Sequence, residues 1–538
     1  MVRDIDHLTA RTFDVLVVGG GIYGLTIAYD AAQRGLAVAL IERADFGSGS
    51  SFNHLRTIHG GLRYLQTLDF RRARESTQER RTLARIAPHA VRALPFVLPL
   101  HRSLARGTLA MRAAFLLDRI LTRDRNRGLP PALHIPPGQV VSRETAIERF
   151  PRLPRRGLTG AAIWHDYVTP ESDRLTFAWA IAAAAESAVL ANCVEAVELL
   201  RDGRRVVGVR AANRQNGRAI EISARVTVNA TGGAVDRLLS GWGASTRMPL
   251  LKAMNLVTRR EGGVEAIGSR SASGRHLFLV PWRGRAVFGT WESPQPCAAD
   301  EAAPTEGEIA GFISELNTAF PSIALEMNDV TLVHRGTVPA VLADGRIALQ
   351  GHEQIRDHAT DGVDGIVSVA GAKYTTARAV AERVTDTLLM KLRRTAVPCR
   401  TAETPLPGGD PPGIAAAIEG ARTEHDEDLP AGTRAHLVAA YGSRYRQVLA
   451  VAADRSEWRA PVAEDSPVIG AELVWAAREE MVVTLADAVI RRTPLGALGF
   501  PGDAPAQRAA DIVGAELGWS DERRRQELDA LRAFYRVP

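Results

Sequence analysis

The chain has 538 residues, of which 46% are hydrophobic and 24% are charged. This composition is typical of a soluble globular protein, and the length exceeds what one hydrophobic core can organise, so we expect roughly two or three domains. The formal net charge of +6 is a mild excess that suits an anionic substrate or an anionic membrane surface. No segment clusters lysines with aromatic residues, so no nucleic-acid partner is predicted.

Cysteine usage and hydropathy limit the redox compartment and the membrane topology that we expect. The three cysteines are too far apart in sequence for a metal site or a disulfide framework: Cys193, Cys297 and Cys399. This pattern predicts a reducing cytoplasm and no bound metal. The N-terminus reaches its first apolar strand without the apolar region of a secretion signal. No uncharged stretch reaches the roughly 18 apolar residues of a membrane-spanning helix.

The first predicted element is an apolar strand, Val15–Val18, which runs directly into glycines at G-x-G-x-x-G spacing: Gly19, Gly21 and Gly24. A helix from about Tyr23 to Arg34 follows, and a second apolar strand, Ala37–Ile41, ends at Glu42. The glycines permit a tight turn, backbone approach to a pyrophosphate and close packing of helix on strand, while Glu42 can bind ribose hydroxyls. The stretch predicts a dinucleotide-binding Rossmann unit, and Glu42 disfavours the 2′-phosphate of NADP.

Two glycine-rich stretches follow the second strand. Small residues dominate Phe46–Ser51, which excludes regular structure and lets backbone and hydroxyl groups approach a ligand. The string Ile-His-Gly-Gly-Leu-Arg-Tyr-Leu then spans residues 58–65, and its paired glycines suggest backbone laid against a flat ring. His59 is either a structural histidine or a cofactor neighbour, and the residues around it favour the second alternative.

Taken together, these motifs resemble the FAD-dependent glycerol-3-phosphate dehydrogenases. The 58–65 string is far more specific than the glycine fingerprint, and the stretch Leu94–Pro99 is also similar. The resemblance implies a fold of α/β plus α+β type: a glutathione-reductase-like FAD-binding Rossmann domain, an antiparallel-sheet substrate domain and a C-terminal helical domain. It implies electron transfer to a quinone or another acceptor. It leaves open a peripheral position on the inner face of the cell membrane, and a homodimer.

Two later segments favour FAD over NAD, because separated segments that converge on one ligand suit a long dinucleotide. The strand Ile220–Asn229 ends in Ala-Thr-Gly, and residues 366–383 form a strand, a glycine turn and a helix that resemble the family's last FAD contact. By resemblance, Val194 would contact adenine through its backbone. The cofactor-binding candidates are Gly19, Gly21, Ile22, Tyr23, Gly24, Glu42, Arg43, Ser50, Ser51, Ile58, His59, Gly60, Gly61, Leu62, Val194, Ala230, Thr231, Gly232, Gly371, Lys373, Tyr374 and Thr375.

The predicted domain limits follow these segments and the changes in periodicity. The FAD-binding domain would take residues 1–100, 166–244 and 346–403. A helical insertion at 101–165 and an antiparallel substrate sheet at 245–345, which shows short alternating runs, would interrupt it. Residues 404–538 would form a C-terminal helical domain, which begins with a Pro/Gly linker and shows helical periods only from residue 413 onward.

The segment 104–127 mixes apolar residues with arginines. Two interpretations stay open. The segment is either a basic amphipathic helix that lies on an anionic membrane surface, or a helix that faces the core and exposes its arginines to solvent.

The resemblance implies oxidation of a secondary alcohol, in which hydride leaves carbon for the flavin while a base takes the hydroxyl proton. A phosphorylated substrate also needs fixed cations. The candidate catalytic residues are His59, Arg63, Lys252, Asn255, Arg356 and Lys373. Asn255 stands where the family has the histidine proposed as base, and Asn cannot act as a base at neutral pH. Val338 stands where the family has an arginine that faces substrate, although Arg335 is nearby.

Three hypotheses therefore stand from the sequence. The first is oxidation of glycerol 3-phosphate with another base, His59 or His54. The second is an FAD oxidoreductase of the same family that acts on a different polyol phosphate, alcohol or amine. The third is a flavin-binding protein without dehydrogenase turnover.

Overall fold

The computed structural model describes residues 1–103, 107–153, 155–271, 274–343, 346–423, 429–430 and 432–537. Its strands, in chain order, are β1 (Phe13–Val18), β2 (Val38–Ile41), β3 (Thr57–Ile58), β4 (Arg92–His101), β5 (Gln139–Ser142), β6 (Leu158–Val168), β7 (Val189–Ala191), β8 (Val194–Asp202), β9 (Arg205–Asn213), β10 (Ala219–Asn229), β11 (Leu250–Glu261), β12 (Ala266–Arg270), β13 (His276–Trp282), β14 (Arg285–Glu292), β15 (Val330–Ala343), β16 (Arg346–Leu349), β17 (Gln354–Asp357) and β18 (Ile366–Ala370).

The α-helices are α1 (Ile5–Thr9), α2 (Ile22–Gln33), α3 (Phe70–Ile86), α4 (Thr108–Leu121), α5 (Arg143–Arg149), α6 (Ser172–Ala185), α7 (Val235–Leu238), α8 (Glu306–Ala319), α9 (Ala377–Lys391), α10 (Pro411–Thr423), α11 (Thr433–Tyr441), α12 (Tyr445–Val451), α13 (Gly470–Glu479), α14 (Asp503–Leu517) and α15 (Asp521–Phe534). A π-helical turn covers Asp487–Arg492. Short 3₁₀ turns lie at Leu62–Thr67, Pro88–Ala90, Pro131–Leu133, Gly232–Ala234, Met327–Asp329, His358–Asp361, Gly442–Arg444 and Ser456–Arg459.

The first sheet is the predicted nucleotide-binding sheet. Its path runs β17-β18-β10-β1-β2-β7, and the pairs from β18 to β7 are parallel. Every residue of β1 and β2 is buried, as expected for parallel strands covered on both faces. Helices α2, α6 and α9 cover one face, while the β8–β9 hairpin and α1 pack on the other. The carboxyl ends of β18, β10, β1 and β2 therefore meet at one edge of the sheet.

The second sheet is the predicted substrate sheet, but it is larger than residues 245–345. Its path runs β16-β15-β11-β14-β13-β12-β4-β6-β3, and β5 pairs with β6. Residues 101–165, expected to be a helical insertion, thus also contain β5 and most of β6. The periodicity of β6 does not identify it as a strand, because both of its faces are largely buried and its residues do not alternate between apolar and polar. The exact domain limits stay predictions.

Helix α8 covers one face of the second sheet, and the C-terminal helices pack against the other. Leu332 of β15 and Trp282 of β13 lie in the cluster formed with the C-terminal part. Phe52, from the glycine-rich stretch after β2, lies in the same cluster. The glycine-rich stretch is therefore held between the two sheets and the C-terminal helices, which fixes it beside the edge where the parallel strands end.

In the described part of the chain, no helix combines the length and the apolar character needed to cross a membrane. The helix predicted over 104–127 is present as α4, which covers Thr108–Leu121.

Candidate active site

The glycine fingerprint packs as its spacing predicts. Gly19 has a φ of +109°, and a Cβ placed there would lie 2.5 Å from the carbonyl oxygen of Ala230. A Cβ on Gly24 would lie 1.8 Å from the carbonyl oxygen of Gly19. Only glycine fits these two positions, because β1, α2 and the end of β10 are in direct backbone contact. At Gly21, at the helix N-terminus, a Cβ would have more room, because the nearest atom would be Oγ of Ser51 at 3.2 Å.

Glu42 fixes the turn at the end of β1. Its carboxylate accepts a hydrogen bond from the backbone N–H of Gly20 at 2.7 Å and from that of Ala44 at 2.8 Å. Burial raises the pKa of Glu42 above its usual value, while these hydrogen bonds oppose the shift. The backbone N–H of Val194 donates to the carbonyl oxygen of Glu42 at 2.8 Å. The predicted ribose and adenine residues are thus adjacent, and the exposed Arg43 lies beside them.

The N-terminus of α2 already carries a polar neighbour from the Gly/Ser stretch. Ser51 Oγ accepts from the backbone N–H of Ile22 at 2.9 Å. Ser50 lies at the far side of the same stretch, where a Cβ on Gly336 of β15 would be 3.4 Å from Ser50 Cβ. The segment therefore links the pyrophosphate end of the nucleotide sheet to the substrate sheet.

The paired glycines Gly60 and Gly61 pack against α3. A Cβ on Gly60 would lie 2.2 Å from a guanidinium nitrogen of Arg80 on α3, and the backbone N–H of Gly60 donates to Asp166 at 2.6 Å. Gly61 has a φ of +79°, and a Cβ there would lie 2.9 Å from Ser76. Tight packing on α3 accounts for both glycines. Leu62 follows in the next turn, and backbone contact with a flat ring stays a prediction.

His59 and Lys373 meet at the ring of Tyr64. The ring centroids of His59 and Tyr64 are 6.1 Å apart, and Lys373 Nζ lies 4.2 Å from the Tyr64 centroid. Arg72 of α3 stacks on the same ring at 4.1 Å. Arg63, the neighbouring candidate, lies in this turn, but its side chain is outside the part that the structure describes. The predicted histidine and lysine therefore both lie beside the Tyr64 ring, although they are more than 300 residues apart in sequence.

The glycine turn after β18 contacts the fingerprint helix. Tyr23 Oη donates to the carbonyl oxygen of Lys373 at 3.0 Å, and a Cβ on Gly371 would lie 2.4 Å from the same hydroxyl. Tyr374 stacks on His54 with ring centroids 4.7 Å apart. The hydroxyl oxygens of Thr375 and Thr376, which are buried at the N-terminus of α9, have no hydrogen-bond partner among the residues that the structure describes. This turn is thus fixed on its outer side and keeps polar groups available for a ligand.

The segments predicted to bind FAD converge on one edge. They are the ends of β1, β2 and β10, the turn after β18 and the Gly/Ser stretch. At the end of β10, Thr231 Oγ1 donates to Asn229 at 2.7 Å, and Gly232 has a φ of +61° with open space where a Cβ would be. The open space beside Gly232, the extended backbone of Gly21 and the hydroxyls of Thr375 and Thr376 fit a long dinucleotide that runs between the two sheets.

The remaining cationic candidates are already engaged. Arg356 donates to Asp361 at 2.8 Å, and Asp361 also contacts His358 at 2.7 Å. Lys252 pairs with Glu308 of α8 at 3.1 Å. Residues alternate across a strand, and Met254 of β11 lies in the cluster with α8, so Lys252 is on the α8 side. A substrate contact by Lys252 stays a prediction, and this placement puts it across the sheet from Asn255.

Two buried residues near Asn255 were not singled out from the sequence. His334 of β15 pairs directly with Asn255 of β11, and its side chain is fully buried. Arg56, with a φ of +57°, stacks on the Trp282 ring at 3.9 Å and pairs with Asp173 at 3.0 Å. The sequence indicated only that His334 lies in a strand, because the register between that strand and its neighbours cannot be read from the sequence. Arg56 precedes the 58–65 string and belongs to no motif with a characteristic spacing.

The fold and the site together define an FAD-binding oxidoreductase, with a nucleotide sheet and a substrate sheet that share one edge. The family described as FAD dependent oxidoreductase matches residues 14–387, and the family described as C-terminal domain of alpha-glycerophosphate oxidase matches residues 399–524. The chain belongs to the FAD-dependent glycerol-3-phosphate dehydrogenase family.

Individual relatives cover nearly the whole chain. A glycerol-3-phosphate dehydrogenase of Synechocystis sp. is 30% identical over 99% of this chain and 98% of its own length. One of Mycobacterium leprae is 32% identical over 96% of this chain and 87% of its own length. The structure of the glycerol-3-phosphate dehydrogenase from Bacillus halodurans complexed with FAD has a TM-score of 0.75 at 25% identity, over 99% of this chain and 96% of that chain. These findings confirm the predicted fold, cofactor and enzyme class.

Proposed function

We propose that this protein oxidises sn-glycerol 3-phosphate to dihydroxyacetone phosphate. FAD, when bound, supplies the acceptor for the hydride that leaves the secondary carbon. The observation that carries the proposal is the meeting of Lys373 and His59 at Tyr64, between the turn after β18 and the glycine-rich segment. A cation and an imidazole at one place suit a phosphorylated alcohol, since the substrate needs both a charge partner and a proton acceptor. The full-length similarity to glycerol-3-phosphate dehydrogenases supports the same substrate.

His59 is better suited than His54 to take the hydroxyl proton. The Nδ1 atom of His54 accepts a hydrogen bond from the backbone N–H of Arg56 at 3.0 Å, so neutral His54 carries its proton on Nε2 and offers a donor. Burial and the nearby Arg56 charge lower the pKa of His54 to about 3, which makes it a weak base. We expect His59→Gln to lower kcat by about 10²- to 10⁴-fold. His134→Gln, at an exposed loop histidine, is the matched control.

Substrate identity is tested by anaerobic bleaching of the bound flavin with a panel of polyol phosphates, plain alcohols and amines. Rapid bleaching by glycerol 3-phosphate supports the proposal, and bleaching by another compound alone would assign the chain to the alternative substrate class. That alternative has its own support, since Asn255 and Val338 differ from the family. Lys373→Met should raise KM for the phosphate substrate by about 10- to 100-fold, because it removes a charge-assisted hydrogen bond. An unchanged KM would contradict the role of Lys373.

The electron acceptor is proposed to be a quinone, reached at an anionic membrane surface. Helix α4 supports this part of the proposal. Leu109, Leu116 and Ile120 are 79%, 63% and 63% exposed, while Met111 and Phe115 are buried against the protein. The same outer face carries exposed arginines at positions 112, 119 and 123. An apolar stripe flanked by arginines matches the interface of an anionic bilayer.

The membrane contact is tested by flotation with vesicles of anionic or neutral lipid. We expect co-flotation with anionic vesicles at low salt, and its loss in Leu116→Glu/Ile120→Glu. Val264→Glu, at an exposed apolar residue in the β11–β12 loop, is the matched control and should still float. Absence of co-flotation of the unmodified protein would refute this part.

A further inference from the structure

A buried polar cluster lies next to the proposed active site and takes no part in the proton or charge roles assigned above. We define the inner cluster as His54, Arg56, Asn255 and His334. Asn255 of β11 and His334 of β15 are directly opposite each other. Their neighbours Met254, Leu256 and Val333 lie in the cluster with α8, so Asn255 and His334 face the other way, toward the glycine-rich segment.

The glycine-rich segment closes over this pair. His334 meets the Phe52 ring at a centroid distance of 5.0 Å, and the backbone N–H of Arg335 donates to Asn53 Oδ1 at 3.1 Å. Asn255 Nδ2 donates to the carbonyl oxygen of Asn53 at 3.4 Å. His54 stacks on Tyr374 of the turn after β18. The inner cluster is therefore bounded by the substrate sheet, by the Gly/Ser stretch and by the turn assigned to the cofactor.

The cluster contains more polar atoms than the protein satisfies. Within the described part of the chain, the buried side-chain atoms without a hydrogen-bond partner include Asn255 Oδ1, both ring nitrogens of His334, His54 Nε2, and Nε and Nη2 of Arg56. Asn255 is 4% exposed, His334 0% and Arg56 3%. Leaving a buried polar group unsatisfied destabilises the folded state, so such groups normally meet a water molecule or a ligand. Several of them around one place indicate a ligand site.

Gly289 leaves room for the Asn255 side chain. A Cβ on Gly289 of β14 would lie 1.9 Å from Asn255 Oδ1. The amide oxygen therefore occupies room that any other residue at position 289 would fill. Asn255 Nδ2 donates to Asn53, which leaves the amide oxygen as an acceptor without a hydrogen-bond partner among the described residues.

The character of the cluster selects an uncharged ligand. Arg56 is paired with Asp173 at 3.0 Å. Burial and the Arg56 charge lower the pKa of both His54 and His334, so both rings are neutral at pH 7. What remains is one amide acceptor, one donor on His54 Nε2, the Nε and Nη2 donors of Arg56, and one donor and one acceptor on His334. A hydroxyl group both donates and accepts hydrogen bonds, so it can pair with donors and acceptors in this set. A phosphate has only acceptor oxygens, so it would leave the acceptors on Asn255 and His334 unpaired.

We propose that Asn255, His334 and His54 form a hydroxyl-binding subsite that recognises an uncharged hydroxyl of the substrate beyond the reacting carbon. The inference rests on the proposed function, because it assigns the remaining end of a polyol phosphate. In glycerol 3-phosphate that group is the terminal hydroxyl. The subsite makes these residues determinants of specificity and gives Asn255 a function that does not require it to act as a base.

The test compares glycerol 3-phosphate with propane-1,2-diol 1-phosphate, which lacks only the terminal hydroxyl. For the FAD-loaded protein, kcat/KM and calorimetric Kd are measured with both compounds. We expect the unmodified enzyme to favour glycerol 3-phosphate by about a hundredfold or more in kcat/KM, because the analogue leaves buried polar groups unpaired. His334→Phe and Asn255→Leu should each reduce this ratio to below about tenfold, chiefly by lowering the value for glycerol 3-phosphate.

Control variants separate recognition from folding. His334→Gln keeps a donor and an acceptor, so it should retain most of the ratio. His436→Gln removes a buried imidazole that contacts Glu472 at 3.0 Å in the C-terminal part, and it should lower Tm without changing the ratio. If His334→Phe does not fold, Asn255→Leu on the neighbouring strand β11 tests the hydroxyl subsite instead.

The outcomes distinguish this inference from the proposed function. No preference in the unmodified enzyme, or an unchanged preference in both variants, would overturn the hydroxyl subsite. If neither phosphate is oxidised but calorimetry shows the same preference in Kd and its loss in the variants, the subsite stands and the proposed reaction falls. If neither phosphate is oxidised or bound, both are overturned.

Discussion

Two substitutions in the glycine fingerprint, at Gly24 and at Gly21, distinguish the effect of helix packing on stability from the effect of ligand contact on FAD affinity. In Gly24→Ala the new Cβ would lie 1.8 Å from the carbonyl oxygen of Gly19, and 3.3 Å from a methyl group of Val17. Contacts below about 3.0 Å are not tolerated in a close-packed interior, so α2 has to move away from β1 by about 1 Å. We expect a loss of about 3 kcal/mol in the free energy of unfolding, at the upper end of overpacking costs.

Gly21→Ala should behave differently. Gly21 has φ −76° and ψ −179°, an extended conformation open to alanine, and the new Cβ would lie 3.2 Å from Ser51 Oγ. The apoprotein should therefore keep its stability within about 0.5 kcal/mol. The methyl group would stand where the pyrophosphate approaches the helix N-terminus, so we expect FAD affinity to fall by about a hundredfold.

Both effects are measured on deflavinated protein. Urea unfolding gives the free energy of the apoprotein, and quenching of FAD fluorescence on reconstitution gives Kd. Gly311→Ala, in the middle of α8 with nothing within 4 Å of the new Cβ, is the control and should stabilise by up to about 1 kcal/mol. Wild-type FAD affinity in Gly21→Ala would refute the assignment of this position to the pyrophosphate. Wild-type stability in Gly24→Ala would refute the close packing of α2 on β1.

Three further predictions follow from charged and titratable groups. Asp45→Asn should cost about 3–5 kcal/mol in guanidinium unfolding, because Arg492 would be left buried opposite a neutral amide. Glu42→Gln should weaken FAD binding about tenfold in the reconstitution assay, since one carboxylate acceptor becomes a donor that faces a backbone N–H. Burial lowers the pKa of His89 to about 4 in the folded state, so the unfolded state takes up its proton first as pH falls below about 6.5. Stability should fall by about 3 kcal/mol between pH 6.5 and 4 from this group alone, and His89→Gln should show a correspondingly smaller pH dependence. An identical pH dependence would contradict this assignment.

The cofactor half of the site was predictable because its signals are local. The spacing of Gly19, Gly21 and Gly24, with Glu42 at the end of the next strand, follows from backbone geometry that is the same wherever the motif occurs. The turn near Gly371 could be placed for the same reason, since a strand, a glycine and a helix are adjacent in sequence. The parallel order of β18, β10, β1 and β2 then brings these separate turns to one edge.

The substrate half depends on strand register, which the sequence does not encode locally. The pairing of Asn255 with His334 joins residues on different strands, and a shift by one residue would turn either side chain to the opposite face. The same argument explains Lys252, which shares the sequence neighbourhood of Asn255 but lies on the α8 side. The paired glycines at 60 and 61 were explained by packing on α3, a contact between segments whose arrangement was not visible in the string itself.

The ion pairs of Asp45 join a residue near the start of the chain to one near its end. Arg492 Nη1 and Asp45 are 447 positions apart and 2.7 Å from each other. At roughly 5–20 residues per second of synthesis, about 20 to 90 s separate the appearance of the two partners. During translation the Asp45 carboxylate is therefore present before its guanidinium partner has been made. The nucleotide sheet also lacks β18 until residue 370 has emerged. The nucleotide sheet is consequently completed only after the segment that contains β18 has been made, and premature termination before residue 491 would leave Asp45 without a guanidinium partner.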